Sequence, residues 1–304
     1  VRARAAVAFL GLLSVAPVLA WSFGLGSFRA WFLATTLPSV LALVAVAVRA
    51  EGLRSALALG AAGGVLGTIG YDVFRVPFAV AGVRLFAPIE SYGVLLTGAH
   101  SSRPATAFAG WCYHLANGVG FGIAYGMVMR GRNRWWGVLW ALVLETATVV
   151  TPFATMYGLR GKWDLIGVAY AAHVFYGLPL GYVVEKQTPL PAVKMIGAGV
   201  LGLAVWLRPW SVPGATREGE RVAPGPSAIV RDGRFRPGWL RVPRDGCAAI
   251  RNDDAVGYDL PKQHVTLPPG TTTQVCFGTV GVLRVRTSTE PYSGGFVIVE
   301  RPRG

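Results

Sequence analysis

Residues 105–128, ATAFAGWCYHLANGVGFGIAYGMV, run for 24 positions without one Asp, Glu, Lys or Arg. A helix rises about 1.5 Å per residue, so crossing a hydrocarbon core about 30 Å thick takes about 20 mostly apolar residues. This stretch is therefore expected to span a bilayer. Six others meet the same requirement: 5–24, 31–48, 55–76, 135–157, 164–184 and 192–207. The apolar stretch 78–98 is broken by Pro88, Arg84 and Glu90 and preceded by Pro77, and it reads as an interfacial or re-entrant piece. Arg2, Arg4 and the run to Val18-Leu19-Ala20 imitate a cleavable signal peptide. Six hydrophobic spans follow, so an uncleaved first helix is the simpler reading.

The composition agrees with these spans. Of 304 residues, 14% are charged and 53% apolar, where a soluble protein carries about 25% charged residues. The net charge of +14 would suggest nucleic acid until the charges are located. Residues 1–208 hold 16 basic and 6 acidic groups (+10), and residues 209–304 hold 13 and 9 (+4). With the N-terminus inside, the cytoplasmic loops take Arg2, Arg4, Arg49, Arg54, Arg130, Arg132, Arg134, Lys186 and Lys194. The outer loops take Arg29, Arg103, Arg160, Lys162 and Arg208. That bias follows the positive-inside rule. The basic excess is mostly topological, and nucleic acid drops out as a partner. Seven spans, N-in and C-out, place the C-terminal part outside a bacterial-type inner membrane.

Three regions are expected: a transmembrane helical domain at 1–208, a polar linker at 209–223 with Pro213, Gly214, Glu218 and Glu220, and an extracytoplasmic domain at 224–304. In the last, Ile229-Val230, Trp239–Val242, Cys247–Ile250, Thr272–Phe277, Val282–Arg286 and Phe296–Val299 read as short strands. Asp232-Gly233, Asp245-Gly246, Pro268-Pro269-Gly270 and Ser293-Gly294-Gly295 punctuate them, as turns do in a small β-sandwich. Cys247 and Cys276 fall in predicted strands, as a disulfide or as two buried thiols. Cys112 is a small packing residue inside a span.

The run Ile229–Pro237 resembles the opening strand of the cupredoxins, the plastocyanin-like copper domains. Asn252-Asp253-Asp254 is similar to their loop before the first ligand. Leu267-Pro268-Pro269-Gly270-Thr271, Phe277 and Gly281 match later strand signals, and Glu290–Gly295 resembles the final ligand loop. The likeness covers about residues 226–300 and implies an all-β Greek-key sandwich. Such copper sites use two His, a Cys thiolate and usually a weak Met. At the matching positions stand Tyr258, Thr287, Glu290 and Ser293. Without a thiolate no blue-copper centre is expected. His264 lies outside the motif and reads as an exposed strand residue.

Ionisable groups inside a membrane are costly and tend to mark function. The spans hold Asp72, Arg75, His114, Glu145 and His173, with Glu90 in the 78–98 segment. His114-x3-Gly118-x3-Gly122 recurs as His173-x3-Gly177-x3-Gly181. Each His lies about 14 Å below the outer boundary and Glu145 about 15 Å from the inner one, so all three can share one level. Asn117 follows His114 by one turn, Tyr176 follows His173, and Thr148 follows Glu145.

Two imidazoles and a carboxylate are a transition-metal ligand set, with copper the first guess. The same groups suit a proton relay, axial haem ligation, or plain interhelical hydrogen bonding. The glycines read as packing positions. Asp72 and Arg75 are spaced as an i,i+3 pair, or else Asp72 and Glu90 line an entrance facing the outer domain. Trp135, Trp136, Trp140 and Trp163 read as boundary anchors.

There is no Walker A loop, Gly-x-Ser-x-Gly elbow, His-Glu-x-x-His or Cys-x-x-Cys, which leaves ATP-driven pumps and the familiar hydrolases unsupported. The leading expectation is a membrane protein handling a small ion or redox species at His114, Glu145 and His173, capped by a copper-less sandwich. The alternatives are an assembly protein whose sandwich binds an extracytoplasmic partner, and a membrane enzyme acting on a lipidic substrate.

Overall fold

The computed structural model describes residues 2–80, 87–97, 103–156, 159, 162–205, 225–231, 234–236, 239–279, 281–286 and 294–300. Apolar helices fill the N-terminal part and a small mixed set of sheets the C-terminal part. The helices are α1 (Arg2–Leu12), α2 (Ala16–Ser22), α3 (Phe28–Trp31), α4 (Leu37–Arg49), α5 (Glu51–Val80), α6 (Ala87–Thr97), α7 (Arg103–Met129), α8 (Trp135–Val150), α9 (Pro152–Met156), α10 (Trp163–Lys186) and α11 (Leu190–Val205). The chain folds as two compact units. One comprises residues 1–81, 111–148 and 164–212, the other 82–110, 149–163 and 213–304.

Among the described residues, four stretches are helical, long and apolar enough to cross a membrane: Arg2–Ser22, Phe28–Arg49, Glu51–Ala79 and Trp163–Lys186. Trp135–Val150 is apolar but shorter. The first joins α1 to α2 through a 3-10 turn at Leu13–Val15, and the second joins α3 to α4 through a π-turn at Phe32–Thr36. Ser27 caps α3 by accepting the Ala30 N–H at 3.1 Å. A left-handed Gly131 ends the turn after α7, a conformation that favours glycine. On α4 the side chains of Leu37, Val40, Leu41, Val44 and Val48 are all exposed. Their spacing makes one apolar stripe, the surface a lipid-facing helix presents. The opposite faces bury Val7, Ala8, Leu43, Ala56, Leu57, Ile123, Ala124 and Met127 in one core.

Several expectations need correction. Within the 78–98 stretch, α5 runs on through Pro77 to Val80 and α6 covers Ala87–Thr97, with 81–86 outside the described residues. Eleven residues make α6 about 16 Å long, half of what a span needs. Trp135, Trp136 and Trp163 are exposed as anchors would be. Trp140 instead packs inward, its ring 6.1 Å from that of Tyr125. Cys112 is exposed rather than packed.

In the second unit the strands are β1 (Ser227–Arg231), β2 (Arg234–Arg236), β3 (Trp239–Pro243), β4 (Gly246–Asn252), β5 (Tyr258–Leu260), β6 (Val265–Leu267), β7 (Thr272–Phe277), β8 (Gly281–Arg286) and β9 (Gly294–Glu300). They form sheets of order β2-β1-β4-β7 and β3-β9-β8 and a β5-β6 hairpin. β1 runs parallel to β4 and β3 parallel to β9, while the other pairs are antiparallel. Ala228, Val230, Ile250, Val275 and Phe277 from one sheet share a core with Leu240, Val242, Val285, Val297 and Val299 from the other. The three-residue strands β2, β5 and β6 are too short to show a period in sequence. His264 sits in the β5–β6 turn with φ 52°, exposed, and not in a strand.

Cys247 and Cys276 stand opposite each other on β4 and β7 and are disulfide-bonded. Asn252, fully buried, ties the loops at this end together. Its amide donates to the carbonyls of Val256 (2.8 Å) and Leu267 (2.9 Å), and its Oδ1 accepts from the Asp254 N–H at 3.0 Å.

Candidate functional site

The site in the helical unit is built on glycines. A Cβ on Gly60 of α5 would lie 2.6 Å from the Gly122 carbonyl oxygen and 2.8 Å from Cα of Ile123 on α7. Gly64 meets Gly118 in the same way. Any side chain here would drive the two helices apart, so their backbones touch only because these positions are glycine. Two turns beyond Gly64 comes Asp72, and one turn before Gly118 comes His114. The close antiparallel approach brings them together: His114 Nε2 lies 3.1 Å from each Asp72 oxygen.

A second helix pair repeats this construction. A Cβ on Gly177 of α10 would lie 2.5 Å from the Gly137 carbonyl oxygen on α8. Two turns beyond Gly137 comes Glu145, and one turn before Gly177 comes His173. His173 Nδ1 lies 3.2 Å from Glu145 Oε2. The sequence carries the matching signal, Gly64-Val65-Leu66 eight residues ahead of Asp72 and Gly137-Val138-Leu139 eight ahead of Glu145. Without the pairing of helices, those acids could not be matched to their imidazoles.

Tyr71 joins the two pairs. Its ring centroid is 6.1 Å from that of His114 and 4.9 Å, edge-on, from that of His173. The Arg75 guanidinium lies 4.7 Å from the Tyr71 centroid and bonds Asp72 Oδ1 through Nη1 at 3.3 Å. The i,i+3 pair expected of Asp72 and Arg75 therefore forms, with His114 added to it. Six residues from four helices make one polar cluster: Tyr71, Asp72 and Arg75 of α5, His114 of α7, Glu145 of α8 and His173 of α10.

Hydrogen-bond geometry fixes the imidazoles. His173 Nδ1 donates to the Ala169 carbonyl at 3.0 Å, so this nitrogen carries the hydrogen, and Glu145 Oε2 lies 3.2 Å from it. His114 Nε2 likewise faces both carboxylate oxygens of Asp72 and donates to them. Each acid lies against one nitrogen of its ring and helps to orient it. The side chains of His114 and Asp72 are each 17% exposed, and Glu145 is 2% exposed.

The expected ligand set of His114, Glu145 and His173 does not assemble. Among the described residues, no group of three or more His, Cys, Asp or Glu is placed to hold a metal ion. Each imidazole has turned to its own carboxylate, and Asp72 takes the partner that Glu145 was expected to share. Of the supporting residues, Tyr176 donates to the Gly118 carbonyl at 2.7 Å and Thr148 to the Leu144 carbonyl at 3.2 Å. Asn117 Oδ1 is buried with no partner among the described residues. The side chain of Glu90 lies outside them. Tyr71 was missed because a tyrosine in an apolar run looks like any core aromatic.

In the C-terminal unit, Tyr258 is buried and its hydroxyl donates to Asp254 Oδ2 at 2.8 Å. Thr287, Glu290 and Ser293 lie outside the described residues. Asp253 accepts from Arg251 Nε and from Arg231 Nη2, both at 2.6 Å. These bonds hold its carboxyl at about 2, below the usual carboxylate value. No family model, curated protein or solved structure matches the chain.

Proposed function

We propose that this is a membrane protein whose helical unit binds and passes protons through two His–carboxylate pairs joined at Tyr71. The small ion expected from the sequence is then the proton itself. The observation that carries the reading is the doubled pair: His114 with Asp72 at 3.1 Å and His173 with Glu145 at 3.2 Å. An imidazole with one nitrogen set against a carboxylate offers the other as a proton acceptor. Breaking a buried pair of this kind leaves an uncompensated charge costing about 3–5 kcal/mol. A cluster used only as interhelical glue would be served by Asn or Thr at lower cost.

Seven spans with the C-terminus outside remain the proposed topology. The disulfide between Cys247 and Cys276 supports an oxidising compartment for the sheets. The two facing sheets, each containing one parallel pair, support a cupredoxin-like sandwich. Its role in this reading is to bind an extracytoplasmic protein partner.

Infrared difference spectroscopy of the full chain in lipid vesicles, stepped through neutral pH, tests the proton reading. Imidazole and carboxyl bands are expected to change together. Glu145→Gln and His173→Ala should remove one set, and Asp72→Asn and His114→Ala the other. Spectra unchanged by all four substitutions would sink the proposal.

A further inference from the structure

Four buried polar atoms of the helical unit have no hydrogen-bond partner among the described residues and stand close to the cluster: Asn117 Oδ1, Tyr125 Oη, Trp140 Nε1 and Glu145 Oε1. They belong to two antiparallel helices. Asn117 precedes Tyr125 by eight residues on α7, about 12 Å, and Trp140 precedes Glu145 by five on α8, about 7.5 Å. Tyr125 and Trp140 meet across the two helices, with ring centroids 6.1 Å apart. Asn117 lies next to the Gly118 carbonyl that Tyr176 bonds, and Glu145 is paired with His173, one turn before Tyr176. Tyr125 and Tyr176 share one packed group with Trp140 and Tyr71, so the Tyr125/Trp140 contact is continuous with the ring that touches both imidazoles.

Burial without a partner is costly for each of these atoms. An unsatisfied polar group in a protein interior forfeits its hydration, and in an apolar bundle nothing else restores it. Tyr125 is 0% and Glu145 2% exposed. One such atom is an exception, but four on two neighbouring helices beside one polar cluster make a pattern. The four offer both kinds of chemistry: the indole only donates, the Asn and Glu oxygens accept, and the phenol does either. A water molecule needs two to four such partners.

We infer that α7 and α8 enclose a hydrated path, in which water bound at Tyr125 and Trp140, and again at Asn117 and Glu145, connects the cytoplasmic half of the bundle to the Glu145–His173 pair. This rests on the reading of the cluster as proton-handling. The water supplies the partners the four atoms lack and a route for protons through the glycine-packed helices. Trp140 and Tyr125 are positioning residues of this path; they hold water and do not touch a substrate.

Radiolytic hydroxyl-radical footprinting of the full chain in lipid vesicles is the test, because radicals form from water where it is bound. Tyr113 is the internal control: it is equally buried, at 2% exposure, and its hydroxyl is bonded to the Ser14 carbonyl at 2.9 Å. Modification of Tyr125 and Trp140 severalfold faster than of Tyr113 is expected. Tyr125→Phe should then slow modification of Trp140 while leaving Tyr113 unchanged, which also reports that the variant is folded. If that variant does not fold, Trp140→Phe read at Tyr125 serves instead. Labelling of Tyr125 and Trp140 no faster than Tyr113, or of Trp140 unaffected by the loss of the phenol, overturns the inference. A labelled path alongside infrared spectra unaffected by the cluster substitutions would keep the water and discard the proton reading.

Discussion

Asp253 shows how one residue is read from its neighbours. Arg251 and Arg231 both donate to it at 2.6 Å, and its carboxyl is held at about 2 against an ordinary 3.8. A depressed folded value stabilises the fold at pH above the unfolded value and loses that contribution as pH falls through the folded one. Asp253→Asn is therefore expected to lower the melting temperature of the C-terminal unit modestly at neutral pH. The difference from the parent should shrink as pH drops from about 4 to about 2, followed by calorimetry. A difference independent of pH would mean that the ion pairs contribute nothing. In the helical unit the same logic of partners decides more. His114 and His173 stand out in sequence because ionisable groups are scarce in the spans, but their partners do not. Asp72 was matched to Arg75 by spacing alone, and only the helix pairing adds His114 to it.

At the scale of elements, glycine sets where helices meet. The Gly60/Gly64 and Gly118/Gly122 contact on one pair and the Gly137 and Gly177 contact on the other fix the level at which each acid meets its imidazole. Gly60→Ala forces a methyl against the Gly122 carbonyl and is expected to cost about 1–3 kcal/mol, as overpacking does. Gly197→Ala, with nothing within 4 Å of the added carbon, is the neutral control. Unfolding of both variants in detergent checks this, and equal stability would show the contact to be loose. Most elements were legible beforehand, because long charge-free runs and alternating strands leave strong periodic signals. Their ends were not: the span expected to close at residue 76 continues as α5 through Pro77 to Val80. A proline in the last turn of a helix and a three-residue strand both leave too little pattern to read.

At the scale of the whole molecule, the chain joins a helical unit with a buried polar cluster to a small disulfide-bonded pair of sheets. The low charged fraction pointed to the first, and it left so few candidates that the cluster's histidines and Glu145 could be named from sequence. Their grouping was not legible, since a shared depth permits a trio or two pairs and only side-chain direction separates them. The central claim is that the two pairs carry protons across the bilayer. Proton entry into vesicles holding the full chain, driven by a potassium potential and read with an internal pH dye, tests it most directly. The account predicts entry well above protein-free vesicles, falling to the protein-free rate in the His114→Ala, His173→Ala double variant. Entry at the parent rate in that variant, or none in the parent, would contradict it.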